Sequence, residues 1–330
     1  MDTHRHRHFS LGAVILTAFT ILLSACGSGS PPANAGPPLK FGHVLWAGNY
    51  PFYIAQAKGY FADSNVEAVP LLYANSDTMM GDFVAGNYDI VSATLGDGVI
   101  MFQADNDIHI IAVLDESNGA DALIASPQAT HISDLRGQRI GVNLGTFGEL
   151  FVITVLGQHQ LTPNDVILVD IDANQVPDEI ASGNIVAGHT WEPHISEARR
   201  QGQILLFDST KTPGLINDVL IVRGEVARKR PEAVKAFIKA WFQGVDYWMA
   251  NPAEGTRLIA TATNQPPESI SLDGIKLNSL SDNHHAFASG TTSSLYETTQ
   301  TYIDFFARFG AIRQPPAVTT LLDPGFLPKP

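Results

Sequence analysis

Between His109 and Ser126 the chain reads HIIAVLDESNGADALIAS, two apolar runs separated by a polar insert. Ile110 to Leu114 and Ala122 to Ala125 have the length and composition of buried strands. The insert holds three carboxylates, Asp115, Glu116 and Asp121, together with Ser117, Asn118 and Gly119. Carboxylates beside buried strands are costly unless something pairs with them. Such a break belongs at the mouth of an α/β sheet, where ligands bind beyond the strand ends. A solvated turn is the alternative, because Ser-Asn-Gly is good turn chemistry.

The same alternation of short apolar strands and helices runs along the chain. Strands are predicted over 39–46, 66–72 and 88–93, with helices over 51–61 and 77–85 and a further helix opened by Asp97-Gly98. After Ser126 the pattern restarts, with strands over 139–143, 166–171, 185–189 and 204–207. Helices follow Gly145-Thr146, cover 175–181 and begin at Trp191. The strand at 216–223 is expected to return to the first sheet. Helices over 231–249, 252–262, 267–277 and 295–309 then wrap it. Strands with this rhythm imply mostly parallel sheets covered by helices. Two such blocks joined by two crossings make a hinged clamshell.

The chain opens MDTHRHRHFSLGAVILTAFTILLSACGSGS. Arg5 and Arg7 precede an apolar run from Phe9 to Leu23 that is short for a membrane span. Leu23-Ser24-Ala25-Cys26 closes it and resembles a bacterial lipoprotein signal, which implies that Cys26 carries the lipid. The His-Arg alternation at 4–8 falls in the part that would be removed. Cys26 is the one cysteine, which excludes a disulfide, a cysteine-based zinc site or a cysteine nucleophile elsewhere. Residues 27–38, GSGSPPANAGPP, read as a flexible tether.

About 290 residues remain, enough for one large or two medium domains. The formal net charge is −13, and removing one acid and two bases (Asp2, Arg5 and Arg7) takes it one unit further, to −14. An acidic chain without basic clusters argues against nucleic-acid binding. No repeat or phosphate loop occurs, Gly-x-Ser-x-Gly is absent, and the glycines of Gly141 to Gly148 are wrongly spaced for a dinucleotide fingerprint. His284-His285 has no partnered ligand motif and reads as loop. No cofactor or metal is expected.

Several segments together resemble the solute-binding proteins of nitrate/sulfonate/taurine ABC importers. They are Trp46 to Phe61 ending Ala57-Lys58-Gly59-Tyr60-Phe61, Asp115 to Asp121, and Asp134-Leu135-Arg136-Gly137. Gly145-Thr146, Trp191-Glu192-Pro193 and Pro213 to Asp218 complete the set. The resemblance implies an α/β, two-lobed, periplasmic-binding-protein-like type II clamshell with two crossovers and a helical C-terminal extension. On this likeness residues 1–25 are the signal, 26–38 the tether, 39–128 and 214–330 the first lobe, and 129–213 the second. The crossings are expected near Pro127 to His131 and Lys211 to Leu215. A pyrimidine-precursor branch shares the fold and includes a fungal enzyme with a Cys-rich iron motif, which this chain lacks.

The expected solute-binding residues are Trp46, Tyr50, Thr94, Asp97, Asp115, Ser117, Thr146, Trp191, Glu192 and Asp218. Trp46 and Tyr50 offer an aromatic wall, or else core packing. Thr146 begins a helix, whose free amides and dipole can hold an oxyanion; an ordinary cap is the alternative. The acids Asp97, Asp115, Asp121, Glu192 and Asp218 would repel a bare anion, although each taken singly suits a salt bridge or cap. The basic residues of the motif loops are Arg136, placed away from the cleft, and Lys211. A zwitterion such as taurine suits both ends. The resemblance implies import of a small sulfonate or taurine-like solute. It implies as partners an ABC permease with its ATPase, and a monomer lipid-anchored in the cell envelope, facing the periplasm or the outside. A nitrate or simple-anion binder and a pyrimidine-precursor binder are alternatives within the fold. A secreted acid/base hydrolase is the alternative class.

Overall fold

A computed structural model of the chain describes residues 36–288, 290 and 294–329. The leader, Cys26 and most of the tether lie outside the described residues. In chain order the strands are β1 (Leu39–His43), β2 (Ala68–Leu72), β3 (Ile90–Thr94), β4 (Ile108–Ser117), β5 (Asp121–Ala125) and β6 (Arg139–Val142). They continue with β7 (Ile167–Asp170), β8 (Ala187–Trp191), β9 (Ile204–Asp208), β10 (Asn217–Arg223) and β11 (Ile275–Leu277).

They form two sheets, ordered β11-β4-β10-β3-β1-β2 and β7-β6-β8-β5-β9. In the first sheet β10 and the edge strand β11 run antiparallel to the other four strands, and in the second β5 runs antiparallel to the other four. In β4, Ile110 to Leu114 are all buried. That run shows no polar alternation because both faces of the sheet are covered. Phe41, Phe52, Phe237 and Trp241 pack on one side, and Met79, Val99, Tyr302 and Phe306 on the other. Two smaller clusters cover the second sheet.

The two sheets and the return of β10 to the first match expectation; the outward crossing does not. β4 ends at Ser117 and β5 joins the other sheet at Asp121, so the chain crosses at Asn118-Gly119-Ala120, not at Pro127 to His131. Three residues suffice because their backbone groups are satisfied locally. The Gly274 carbonyl accepts from Asn118 N at 2.8 Å and Ala120 N at 3.0 Å, and Gly119 takes φ 114°, where a side chain is disfavoured. The first lobe boundary therefore falls before β5 rather than after it. The return runs from Ser209 to Ile216 and includes the expected Lys211 to Leu215. The two crossings touch: Ser117 Oγ and Ser209 Oγ lie 2.8 Å apart, and Gly119 N donates to Ser209 Oγ at 2.7 Å.

Local differences have local causes. Gly59, at φ 78°, divides the expected helix over 51–61 into Pro51–Ala57 and Tyr60–Asp63. Trp191 ends β8, and the next helix is His194–Arg200. The stretch 267–277 is a short 3₁₀ turn followed by β11, which pairs with β4. His284 and His285 lie in the helix Leu280–Ala286, started by a capping box at Ser279 and Asp282. The helix Leu295–Arg308 ties the tail to the return crossing. Thr298 Oγ1 donates to Gly214 O at 3.0 Å, and Tyr302 Oη to Leu215 O at 3.1 Å.

Candidate functional site

A cavity of about 320 Å³ opens between the sheets. The C-terminal ends of β3, β4, β6 and β8 meet there with the starts of β5 and β10, the position expected for a ligand site in α/β sheets. Trp46, Thr94, Asp97, Asp115, Ser117, Thr146, Trp191 and Asp218 all line it.

Tyr50 and Glu192 are not among the lining residues. Tyr50 turns into the core beside Trp248, and Gln265 Nε2 donates to its hydroxyl at 2.9 Å. Of the expected aromatic pair, only Trp46 faces the cavity. Glu192 caps the following helix instead, accepting from Ser196 N at 3.1 Å and Ser196 Oγ at 3.0 Å. Arg136 is engaged with Asp165, and Lys211 lies over the Phe207 ring.

The first sheet supplies the acids. Asp115 and Ser117 are two residues apart on β4 and so share a face. In the ladder Asp218 of β10 is opposite Asp115 on one side and Thr94 of β3 on the other, beside an irregularity in register. Trp46 Nε1 donates to Asp115 Oδ1 at 3.2 Å. Asp115 Oδ2 is buried with no hydrogen-bond partner, and it lies so close to Gly48 that a Cβ there would overlap it. Asp97 sits in the first turn of the helix Leu95–Ala104, where its amide donates to the Thr94 hydroxyl at 3.1 Å.

Among the described residues lining the cavity there is no lysine or arginine. Burial, with repulsion from Asp121, pushes Asp115 up to about 7 against the opposing bond from Trp46. Burial also raises Asp218, followed by repulsion from Asp115, Asp121 and Asp97. Asp97 is raised by burial and held back by Thr94. Desolvation disfavours the charged form of each, and their neighbours are acids rather than cations.

The second sheet supplies an aromatic wall and one histidine–carboxylate contact. Trp191 and Phe147 lie with ring centroids 6.0 Å apart. His189 Nε2 and Asp121 Oδ1 are 3.0 Å apart, both side chains almost fully buried. His189 and Asn143 also line the cavity and were not expected there. The signal for His189 was its two-residue spacing from Trp191, which puts both on one face of β8.

Thr146 caps the helix Phe147–Gln158 by accepting from Gly148 N at 3.2 Å. Glu149, also missed from sequence, is buried in the first turn and accepts from Gly145 N at 2.6 Å. Glu149 therefore puts a carboxyl group in the first turn of that helix, although it is not among the residues lining the cavity. Among the described residues no group of three or more His, Cys, Asp or Glu could hold a metal ion.

This architecture, two α/β sheets crossed twice with a cavity between, is that of the periplasmic binding proteins. The periplasmic aliphatic sulphonate binding protein of Escherichia coli superposes with a TM-score of 0.71 at 15% identity, covering 87% of this chain and 92% of that one. The chain belongs to the NMT1/THI5-like family, which it matches over residues 46–255. A putative binding protein of Brucella abortus is 26% identical over 231 residues, 68% of this chain and 70% of that protein. The taurine-binding periplasmic protein of E. coli is 25% identical over 209 residues, 61% of this chain and 64% of that protein.

Proposed function

We propose that the protein is the extracytoplasmic solute-binding component of an ABC importer, capturing a small solute with a basic nitrogen and passing it to a permease and its ATPase. One observation carries the choice of solute. Asp97, Asp115 and Asp218 face the cavity from the first sheet, and no lysine or arginine is among its described lining residues. A protonated amine or amidine satisfies carboxylates that the protein leaves unpaired. Trp46, Phe147 and Trp191 provide surfaces for a flat or apolar body.

Of the expected zwitterion, the cationic end is favoured by Asp115 and Asp218. The anionic end finds no lysine or arginine among the described lining residues. We therefore rank amines and aminopyrimidines first, taurine-like amino-sulfonates second, and simple sulfonates or nitrate last. Binding is favoured over acid/base hydrolysis because the relatives reported above are named as binding proteins. For the leader we propose a lipid anchor at Cys26.

A thermal-shift panel tests the assignment: benzylamine, 4-amino-5-hydroxymethyl-2-methylpyrimidine, taurine, ethanesulfonate and nitrate. A solute at about 100 times its dissociation constant adds about 2.7 kcal/mol of stability. Stabilisation by the amines, with the solute recovered unchanged, supports the proposal. Stabilisation by nitrate or ethanesulfonate alone contradicts it.

A further inference from the structure

Asp115 and Asp218 stand opposite each other on β4 and β10, two acids in one wall of the cavity. Asp115 is 2% exposed and its Oδ2 has no partner. The groups around the pair offer no compensating charge. Trp46 gives one neutral N–H to Asp115 Oδ1. Thr94 and Asp97 approach from β3 and the helix after it, Asp77 stands at the rim, and Tyr302 lies behind among the acids. His189 faces the same cavity but is bound to Asp121. Glu116 turns away to Lys276 and Gly214 N. Asp218, opposite Asp115, is partly exposed; two neighbouring carboxylates, one of them buried and neither with a cation, are not both ionised, because the second charge pays desolvation and repulsion together.

We propose that Asp115 and Asp218 together keep a proton in the solute-free cavity and surrender it when a cationic solute enters, so that solute capture and proton release are one exchange. The solute half of this exchange rests on the function proposed above; the shared proton does not. In the exchange a carboxyl O–H breaks, its proton passes to water, and the carboxylate left behind accepts N–H from the ammonium. No electron moves. Acid then drives the solute out by restoring the proton, which gives the binder a release mechanism that does not depend on the permease.

Two measurements on the full folded chain test it. The first is infrared difference spectroscopy of the solute-free protein at pH 6. The carbonyl stretch of a protonated carboxyl should be present in the wild type and reduced in Asp115→Asn/Asp218→Asn, with Asp218→Asn alone as a second variant and circular dichroism confirming that each is folded. A spectrum identical in wild type and double variant overturns the proposal. The second is calorimetry with benzylamine, a cation throughout the range, at pH 7 in two buffers of different ionisation heat. About one proton released per benzylamine bound, with affinity falling about tenfold per pH unit on acidification, supports the exchange. Binding with no proton released overturns it. If the infrared signal is present and benzylamine does not bind, the shared proton stands and the cationic-solute half is overturned.

Discussion

Trp46 and Asp115 are 69 residues apart in the chain, and the indole Nε1–H of the first donates to Oδ1 of the second at 3.2 Å. The bond joins the loop after β1 to the end of β4. It satisfies one carboxylate oxygen and leaves the other buried against Gly48 without a partner. The acid wall of the cavity is built around this half-satisfied group.

Gly48→Ala tests how tightly that group is held. The added Cβ would overlap Asp115 Oδ2 and approach the Trp46 ring, so the carboxyl must move. Overpacking of this kind costs about 1–3 kcal/mol. The variant should unfold at lower denaturant and bind the preferred amine at least about tenfold more weakly by calorimetry. Unchanged affinity would show that Asp115 takes no part in binding.

Stability of the solute-free protein should depend on pH in an unusual direction. Asp115 lies at about 7 in the folded chain, against about 3.9 when unfolded. A raised carboxyl contributes stability that is fully present below the unfolded value and is lost as pH rises through the folded one. Asp97 and Asp218 are raised too and act in the same sense. Asp134 and Asp165, lowered chiefly by backbone amides, lose their contribution only at lower pH. Between about pH 4 and 7, unfolding free energy should fall by up to about 1.4 kcal/mol per pH unit for each proton involved. Asp115→Asn should flatten that slope in urea titrations.

Glu149→Gln keeps the bond to Gly145 N but removes the charge at the start of the helix Phe147–Gln158. A charge at a helix terminus is worth about 0.3–1 kcal/mol, rising to about 2 when partly buried. Ethanesulfonate should gain between about two- and thirtyfold in affinity while benzylamine loses or stays level. The opposite order would remove Glu149 from the account of charge selection.

Ser209→Ala removes the hydroxyl that accepts from Gly119 N and meets Ser117 Oγ where the two crossings touch. It orphans a backbone donor between the two crossings, at a cost of about 1–3 kcal/mol. Denaturant unfolding should report that loss. A variant as stable as the wild type would mean that the crossings are held by Gly274 alone.

Much of this was legible in the chain. Buried strands such as Ile110 to Leu114 announce themselves by unbroken apolar runs, and the acids beside them marked the cavity. The crossing was misplaced because Ser-Asn-Gly satisfies a turn and a sheet change equally well; only Gly274, over 150 residues away, distinguishes them. Tyr50 and Glu192 were drawn in by neighbours that do face the cavity, Trp46 and Trp191. Their own direction is set by Gln265 and Ser196, and neither contact can be read from local pattern. Glu149 was hidden by its own ordinariness, since an acid three residues after a threonine cap is common chemistry.

The charge selection of the cavity is tested most directly by a matched pair of solutes that differ by one amino group. Taurine and ethanesulfonate should be titrated into the wild type by calorimetry at pH 7.5. Loss of a charge-assisted hydrogen bond costs about 1.5–3 kcal/mol, roughly ten- to a hundredfold in affinity. Taurine is expected to bind tighter by that factor, and Asp218→Asn to erase most of the difference. Equal or tighter binding of ethanesulfonate would contradict a cavity built for a basic nitrogen and return the protein to the simple-anion binders.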